Sequence, residues 1–414
     1  MDVSNENRVK DIDSPVHDWY RFVLSFPPHL VREYIEKFGI CKEDVVLDPF
    51  CGTGTTNVEC KKHGIPSIGI EANPIACFAS SAKCNWAADT AQMFQEAEQI
   101  AQRAADLIEN CKELKCLTEE QSKLIIKNSI SERPLSQVLI LKEAILAAHS
   151  QYEEHFLLAL AKNIVCSYSN LKFGPEVGIS RKKVYDVDVV SVWLRQVLVM
   201  QNDICRISGL RDVPSDIISG DARSISKMPF TKKVNFVITS PPYPNEKDYS
   251  RTTRLESVLL GFINSKEQLR AVKQQFIRSN TKNVYKGDND SQYVEKIDSI
   301  SELSKSIEKK RIELNKTSGF EKLYSSVVKL YFGGMARHFQ ELKPILAPNA
   351  KLAYVVGDQA SYFKIPIRTA ELLAEVAENA GFEVEGIENF RKRYATGTDA
   401  WLNENVLVLK YLGD

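Results

Sequence analysis

The chain has 414 residues, 43% hydrophobic and 26% charged, with 54 Lys+Arg balanced by 54 Asp+Glu and six His. That length holds two or three domains' worth of chain, and the composition excludes disordered, collagen-like and coiled-coil proteins. A formal net charge of zero gives no global pointer to nucleic acid, membrane or acidic partners, so any positive surface has to be local.

Nine cysteines all precede residue 206 without regular spacing, which does not match a secreted disulfide framework. Cys111 and Cys116 lack a second pair or a nearby His cluster, so no metal is expected. The first residues, Met-Asp-Val-Ser-Asn-Glu-Asn, do not have the basic-then-apolar order of a signal peptide, and no run of about 18 apolar residues occurs. A reduced, cytoplasmic protein without membrane contact is the expectation.

The first clear unit spans residues 45–84. Val45-Val46-Leu47-Asp48 reads as a buried strand ending in an acid, and Thr55 to His63 reads as a helix closed by Gly64. Ser67-Ile68-Gly69-Ile70-Glu71 is a second such strand. Strand, glycine loop, helix, strand is half of a doubly wound sheet. Residues 85–212 then turn rich in Ala, Glu, Gln, Lys and Leu at helical spacing, with 15 Lys+Arg against 17 Asp+Glu.

Strand signals resume at Asp216 to Asp221 and at Val234-Asn235-Phe236-Val237-Ile238-Thr239, which runs into Ser240-Pro241-Pro242-Tyr243. A second helical, polar stretch at 251–332 carries 16 Lys+Arg against 10 Asp+Glu, a net of +6. Beyond it, Phe332 to Leu346 predicts a helix stopped by Pro348, and Leu352 to Asp358 a strand. Ile367 to Ala380 predicts a helix, and Phe382 to Phe390 and Asn405 to Tyr411 predict strands. The expected fold class is α/β: one sheet domain with two mainly helical insertions. Its parts are 1–84 and 213–250 as the first sections of the sheet domain, 85–212 and 251–332 as insertions, and 333–414 as the remaining half.

The string Asp48-Pro49-Phe50-Cys51-Gly52-Thr53-Gly54-Thr55-Thr56 places two glycines at a strand-to-helix turn, where backbone can approach a ligand closely. It is neither a dinucleotide G-x-G-x-x-G, since Asn57 stands at the third glycine position, nor a P-loop, since no G-K-[ST] follows. An acid beside the loop suits a cationic, amino-acid-like ligand rather than phosphate. Glu71 ends the next strand, where a carboxylate accepts hydrogen bonds from ribose hydroxyls. Together they point to S-adenosylmethionine. A bare strand–Gly loop–helix also occurs in many other α/β proteins.

Ser240-Pro241-Pro242-Tyr243 lies at the carboxyl edge of the predicted sheet, where open α/β sites form. The exocyclic amine of a base is a poor nucleophile because its lone pair is delocalised into the ring. A hydroxyl and a rigid backbone carbonyl accepting from that amine favour a more tetrahedral nitrogen, and a tyrosine face stacks a base turned out of its helix. A lone S-P-P-Y is otherwise only a stiff loop.

Both motifs resemble those of the amino-directed DNA methyltransferases, D-P-F-x-G-x-G-T-T and [DNS]-P-P-[YFW]; Thr239 to Tyr243 has the T-S-P-P-Y form of the cytosine-N4 enzymes. The resemblance covers the sheet domain, about half of the chain. It implies a class I S-adenosylmethionine-dependent (Rossmann-like) fold, DNA as substrate, and the company of a cognate restriction or defence system. It assigns Phe26, Asp48, Pro49, Phe50, Gly52, Thr53, Gly54, Thr55, Thr56, Glu71, Asp221 and Ala222 to the cofactor and Ser240, Pro241, Pro242 and Tyr243 to the base, without a metal.

The insertions fall after the second strand and after S-P-P-Y rather than at the family's usual positions. The basic stretch 251–332, with Arg251 and Arg254 at its start, is therefore the expected DNA contact, and Arg391 and Arg393 are further candidates. A solvated helical arm would carry the same charges. Tyr249 and Trp401 read as core aromatics, and Cys51 as a packing residue. Adenine-N6 methylation, an RNA base or protein glutamine substrate, and a non-catalytic cofactor- or DNA-binding module are the alternatives.

Overall fold

Strands covered by helices on both faces are apolar at consecutive positions, and that pattern organises this sheet. The computed structural model describes residues 11–21, 26–173, 177–395 and 400–413. Seven strands form one sheet: β1 (Val46–Asp48), β2 (Ser67–Glu71), β3 (Ser215–Ser219), β4 (Val234–Thr239), β5 (Leu346–Gly357), β6 (Glu383–Ala395) and β7 (Ala400–Tyr411). Their spatial order is β3-β2-β1-β4-β5-β7-β6, parallel from β3 to β5, with β7 antiparallel to both its neighbours. This is the class I methyltransferase fold, and its strand order reverses between β1 and β4, where open α/β sheets bind their ligands.

Neighbouring residues on each strand face opposite layers. Val46, Ile238, Ala353, Val355, Val406 and Val408 pack with Leu30, Val31, Tyr34 and Ile35 of helix α1 (Pro28–Phe38). Leu47, Val237, Leu352, Tyr354, Val356, Leu407 and Leu409 face the other way. Further helices, labelled in chain order and leaving aside short ones and Lys266–Gln274, are α2 (Thr55–Lys62), α3 (Pro74–Cys84), α4 (Thr90–Glu109), α5 (Glu132–Ala147), α6 (Glu153–Asn163), α7 (Val189–Ile207), α8 (Asp298–Glu313), α9 (Tyr324–Leu342) and α10 (Thr369–Asn379). The second layer is built from α9, through Met335 and Phe339, and α10, through Leu373 and Val376.

Helices α4 to α7 share a core of their own around Phe156, Leu160, Trp193 and Met200. That core is continuous with Ala79 of α3, with Trp19, and with Leu255 and Leu259 of the short helix Arg254–Leu259. A two-stranded hairpin, Leu171–Lys172 with Gly178–Ile179, interrupts the helices. Among the described residues no helix is long and apolar enough to cross a membrane, and no group of three or more His, Cys, Asp or Glu is arranged to hold a metal.

Three boundaries differ from the sequence reading. Helix α9 begins at Tyr324, eight residues before the expected start, because it is anchored by packing rather than by propensity. Pro348 stops no helix. It lies within β5, where Val234 pairs with Leu346 but Phe236 pairs with Lys351, so the intervening residues bulge out of the ladder. Strands β6 and β7 are 13 and 12 residues long and run beyond the sheet as a hairpin, since residues 400–403 pair with β6 alone.

Candidate active site

The carboxyl ends of β1 to β5 open into a cavity of about 890 Å³. Its wall includes Phe26, Pro49, Phe50, Gly52, Thr55, Glu71, Asp221, Ala222 and all of Ser240-Pro241-Pro242-Tyr243. The two sequence motifs therefore meet in one space, although almost two hundred residues separate them.

Asp48, Thr53, Gly54 and Thr56 do not reach the wall, and the structure gives each of them other partners. Asp48 is fully buried; one carboxylate oxygen accepts from the Thr239 hydroxyl at 2.6 Å and from the Phe50 N–H at 3.1 Å. Its other oxygen, Oδ2, has no hydrogen-bond partner among the described residues, and burial pushes the carboxyl up to about 6. Thr56 donates to the Ile238 carbonyl at 3.1 Å, which fastens α2 to β4. The Thr53 carbonyl accepts from the buried Lys83 ammonium at 2.9 Å. Gly54 starts α2 at φ +81°, and a side chain there would lie 3.1 Å from the Ser80 hydroxyl, so only glycine closes this loop without strain.

Glu71 holds the loop from the other side. Its carboxylate accepts from the Gly52 N–H at 2.9 Å and from the Asn73 N–H at 2.7 Å. Burial raises its carboxyl to about 7 despite those donors. At the end of β3, Asp221 is gripped by Arg223, whose guanidinium reaches its two oxygens at 3.0 and 2.7 Å. Arg223 also donates to Asp290 at 2.6 Å and to the Gln274 carbonyl at 2.8 Å. Through that staple Gln275, Phe276 and Ile277 of the second polar stretch become part of the cavity wall.

At the end of β4 the Ser240 hydroxyl donates to the Val355 carbonyl at 3.1 Å and lies 3.4 Å from the Tyr243 hydroxyl. The Tyr243 hydroxyl donates to Glu404 at 2.9 Å, and its backbone N–H donates to the Tyr249 hydroxyl at 3.1 Å. Its ring lies against Gly357, where a β-carbon would come within 3.0 Å of it. Burial and the facing Glu404 charge push this phenol far up, so it stays protonated.

Among the described residues the cations of the wall are Lys247, Lys316, Lys364, Arg391 and Arg393, all from beyond the S-P-P-Y loop. Among the described residues the β1–β3 side contributes the acids Glu71 and Asp221 and no Lys or Arg. An acidic end flanked by the apolar Phe50, Phe276 and Ile277 fits a cationic nucleoside such as S-adenosylmethionine.

A family model described as DNA methylase, of the N6/N4 type, matches residues 2–81. The chain is 26% identical over 419 residues to Type II methyltransferase M.BsoBI of Geobacillus stearothermophilus, spanning 91% of this chain and 81% of that one. It is 23% identical over 414 residues to Type II methyltransferase M.AvaI of Anabaena variabilis, spanning 90% and 80%. A shorter match, 39% over 74 residues, links it to Type II methyltransferase M.MjaII of Methanocaldococcus jannaschii, spanning 18% and 14%. The chain is thus similar, at residues 2–81 and across most of its length, to amino-directed DNA methyltransferases.

Several residues around the cavity carry no motif. Glu404, Gln359, Tyr324 and the Gln275–Ile277 segment reach the wall only through tertiary packing. Tyr249, expected in the core, is on the cavity wall, and Trp401 is 59% exposed, edge-on to Tyr394 at 5.4 Å. Much of the positive charge expected to face DNA is used within the protein. Arg254 donates to the Ser250 carbonyl and hydroxyl at 3.1 and 2.7 Å, Lys273 pairs with Asp248 at 2.8 Å and Arg278 with Asp288 at 2.7 Å. Arg393 donates to the Asp358 carbonyl at 2.8 Å, and Arg391 pairs with Glu404. Cys51 is buried beside Ser80, and burial pushes its thiol up, as suits a packing residue.

Proposed function

We infer that this protein methylates the N4 amine of cytosine in DNA, using S-adenosylmethionine, with the target base turned out of the duplex into the cavity. A restriction or defence partner, implied by the family resemblance, is part of the same proposal. The observation that carries the reading is the commitment of the Ser240 proton to the Val355 carbonyl at 3.1 Å. A hydroxyl whose proton is so placed offers its lone pairs outward, as an acceptor for an N–H.

Phe26, Pro49, Phe50, Gly52 and Thr55 would enclose the cofactor, Glu71 would accept from its ribose hydroxyls, and Asp221 and Ala222 would border its adenine. When bound, the cofactor supplies an electrophilic methyl group on a sulfonium. The Ser240 hydroxyl and the Pro241 carbonyl would accept the two N–H bonds of the target amine, drawing its lone pair out of conjugation with the ring. Pro242 stiffens the loop, and the Tyr243 face would hold the base in the orientation for in-line attack. Tyr243 is no general base, because its proton is retained and directed at Glu404. The surplus proton on the methylated nitrogen leaves to water. Serine at position 240 of a T-S-P-P-Y loop supports cytosine over adenine as the target.

Incubation with DNA and methyl-labelled cofactor tests the site. Wild-type protein is expected to label DNA, and Ser240→Ala to lower kcat by about 100-fold with cofactor binding retained. Full activity in Ser240→Ala would refute the assigned site, and label appearing only in RNA or protein would refute DNA as the substrate.

A further inference from the structure

Glu404 belongs to neither sequence motif, yet it is only 8% exposed and shares the cavity wall with Ser240 and Tyr243. It stands on β7, directly across from Arg391 on β6 in the strand register. Its carboxylate receives two charge-assisted hydrogen bonds, one from the Arg391 guanidinium and one from the Tyr243 hydroxyl at 2.9 Å. The Arg391 and Glu404 side chains are 11% and 10% exposed, so the pair is shielded from water.

A phenol has one proton to give. While Tyr243 gives it to Glu404, it gives none to the Ser240 oxygen, 3.4 Å from its own. Ser240 in turn donates to Val355, so its lone pairs stay available in the cavity. If Glu404 were missing, Ser240 Oγ would be the next acceptor within reach of the phenol. A phenol pointing there would compete with the amine of the base for the same lone pairs.

We propose that Glu404 is a positioning residue which holds the Tyr243 proton away from Ser240, keeping Ser240 an acceptor for the target amine. This assignment rests on the amine-methylation reading above. Arg391 acts one step further back, fixing the carboxylate in the orientation that the phenol meets.

Steady-state methyl transfer to one DNA substrate tests it, with wild type, Glu404→Ala, Glu404→Gln, Tyr243→Phe and the Tyr243→Phe/Glu404→Ala double variant measured side by side. Glu404→Ala is expected to lower kcat by about 10- to 50-fold while the cofactor KM stays within about two-fold. Glu404→Gln keeps a carbonyl acceptor for the phenol and is expected to recover most of that loss. Tyr243→Phe loses about three- to ten-fold, because the hydrogen bond to Glu404 that anchors the ring is gone. The double variant is expected to be faster than Glu404→Ala alone, because the competing hydroxyl is gone. Losses that multiply in the double variant, or wild-type kcat in Glu404→Ala, would overturn the assignment. A wild-type protein that transfers no methyl to DNA would overturn the amine-methylation reading itself, and this assignment with it.

Discussion

The Thr239 hydroxyl donates to the Asp48 carboxylate across 2.6 Å, joining the ends of two neighbouring parallel strands. Asp48 opens the cofactor motif, and Thr239 immediately precedes Ser240. Both residues are fully buried, so the bond sets the spacing between the two motifs without touching either ligand. Thr239→Val replaces the donor by a methyl group of similar shape and leaves this Asp48 oxygen with the Phe50 N–H as its one remaining donor. A loss of about 1–3 kcal/mol of stability is expected, read from urea unfolding, together with a raised cofactor KM. Unchanged stability would show that the bond is not needed.

Glu71 is expected to make cofactor binding depend on pH. Its carboxyl sits at about 7 because burial disfavours the charge. Ribose hydroxyls donating to it, as proposed above, would favour the carboxylate, so affinity is expected to rise as pH increases through about 7. Titration of the cofactor between pH 6 and 8 reads this directly. Glu71→Gln should flatten the profile and weaken binding by about ten-fold, since one partner of a hydrogen bond to a charged group is lost. A Gln variant with the wild-type profile would exclude Glu71 as its source.

Gly357 gives the Tyr243 ring its resting place. A β-carbon there would approach the ring to 3.0 Å, and the ring edge is held at its far end by Glu404. Gly357→Ala is therefore expected to displace the ring and lower kcat/KM for DNA by about ten-fold, with cofactor affinity unchanged. Equal losses for both substrates would point to a general disturbance of β5 instead.

Glu256, which is not part of the cavity wall, offers a second pH signature. It lies 1% exposed beneath Tyr20, whose hydroxyl donates to it at 2.6 Å, and burial raises its carboxyl to about 7. The folded value exceeds the unfolded one, so the group is protonated more in the folded state, and its contribution to stability falls as pH rises from about 4.5 to 7. Glu256→Gln is expected to gain on wild type across that window, by on the order of 2–3 kcal/mol. Urea unfolding of both proteins at pH 4.5 and 8 measures the gain, and a constant difference between them would contradict it.

Those elements buried on both faces were readable from the chain alone. Strands β1, β2 and β4 appear as apolar runs ending in Asp48, Glu71 and Thr239, because a parallel central strand leaves no polar face. The start of α9 and the far ends of β6 and β7 were not readable, since their sequences are mixed and their order comes from contacts distant in the chain. Trp401 illustrates the difficulty: a large aromatic usually signals a core, but here it faces outward on a hairpin that has left the sheet. Twelve of the sixteen expected site residues line the cavity, because the two motifs encode backbone shape at strand ends. Glu404 and Ile277 gave no such signal. A single carboxylate or isoleucine has the same local pattern wherever it stands, and only the pairing of β6 with β7 and the Arg223 staple bring these two to the site.

The identity of the methylated nucleoside tests the central claim most directly. DNA incubated with the protein and methyl-labelled S-adenosylmethionine would be digested to nucleosides and separated. The account predicts label in N4-methylcytosine, accumulating about 100-fold more slowly when Ser240→Ala replaces the wild type. Label in N6-methyladenine, or none in any DNA nucleoside, would contradict it.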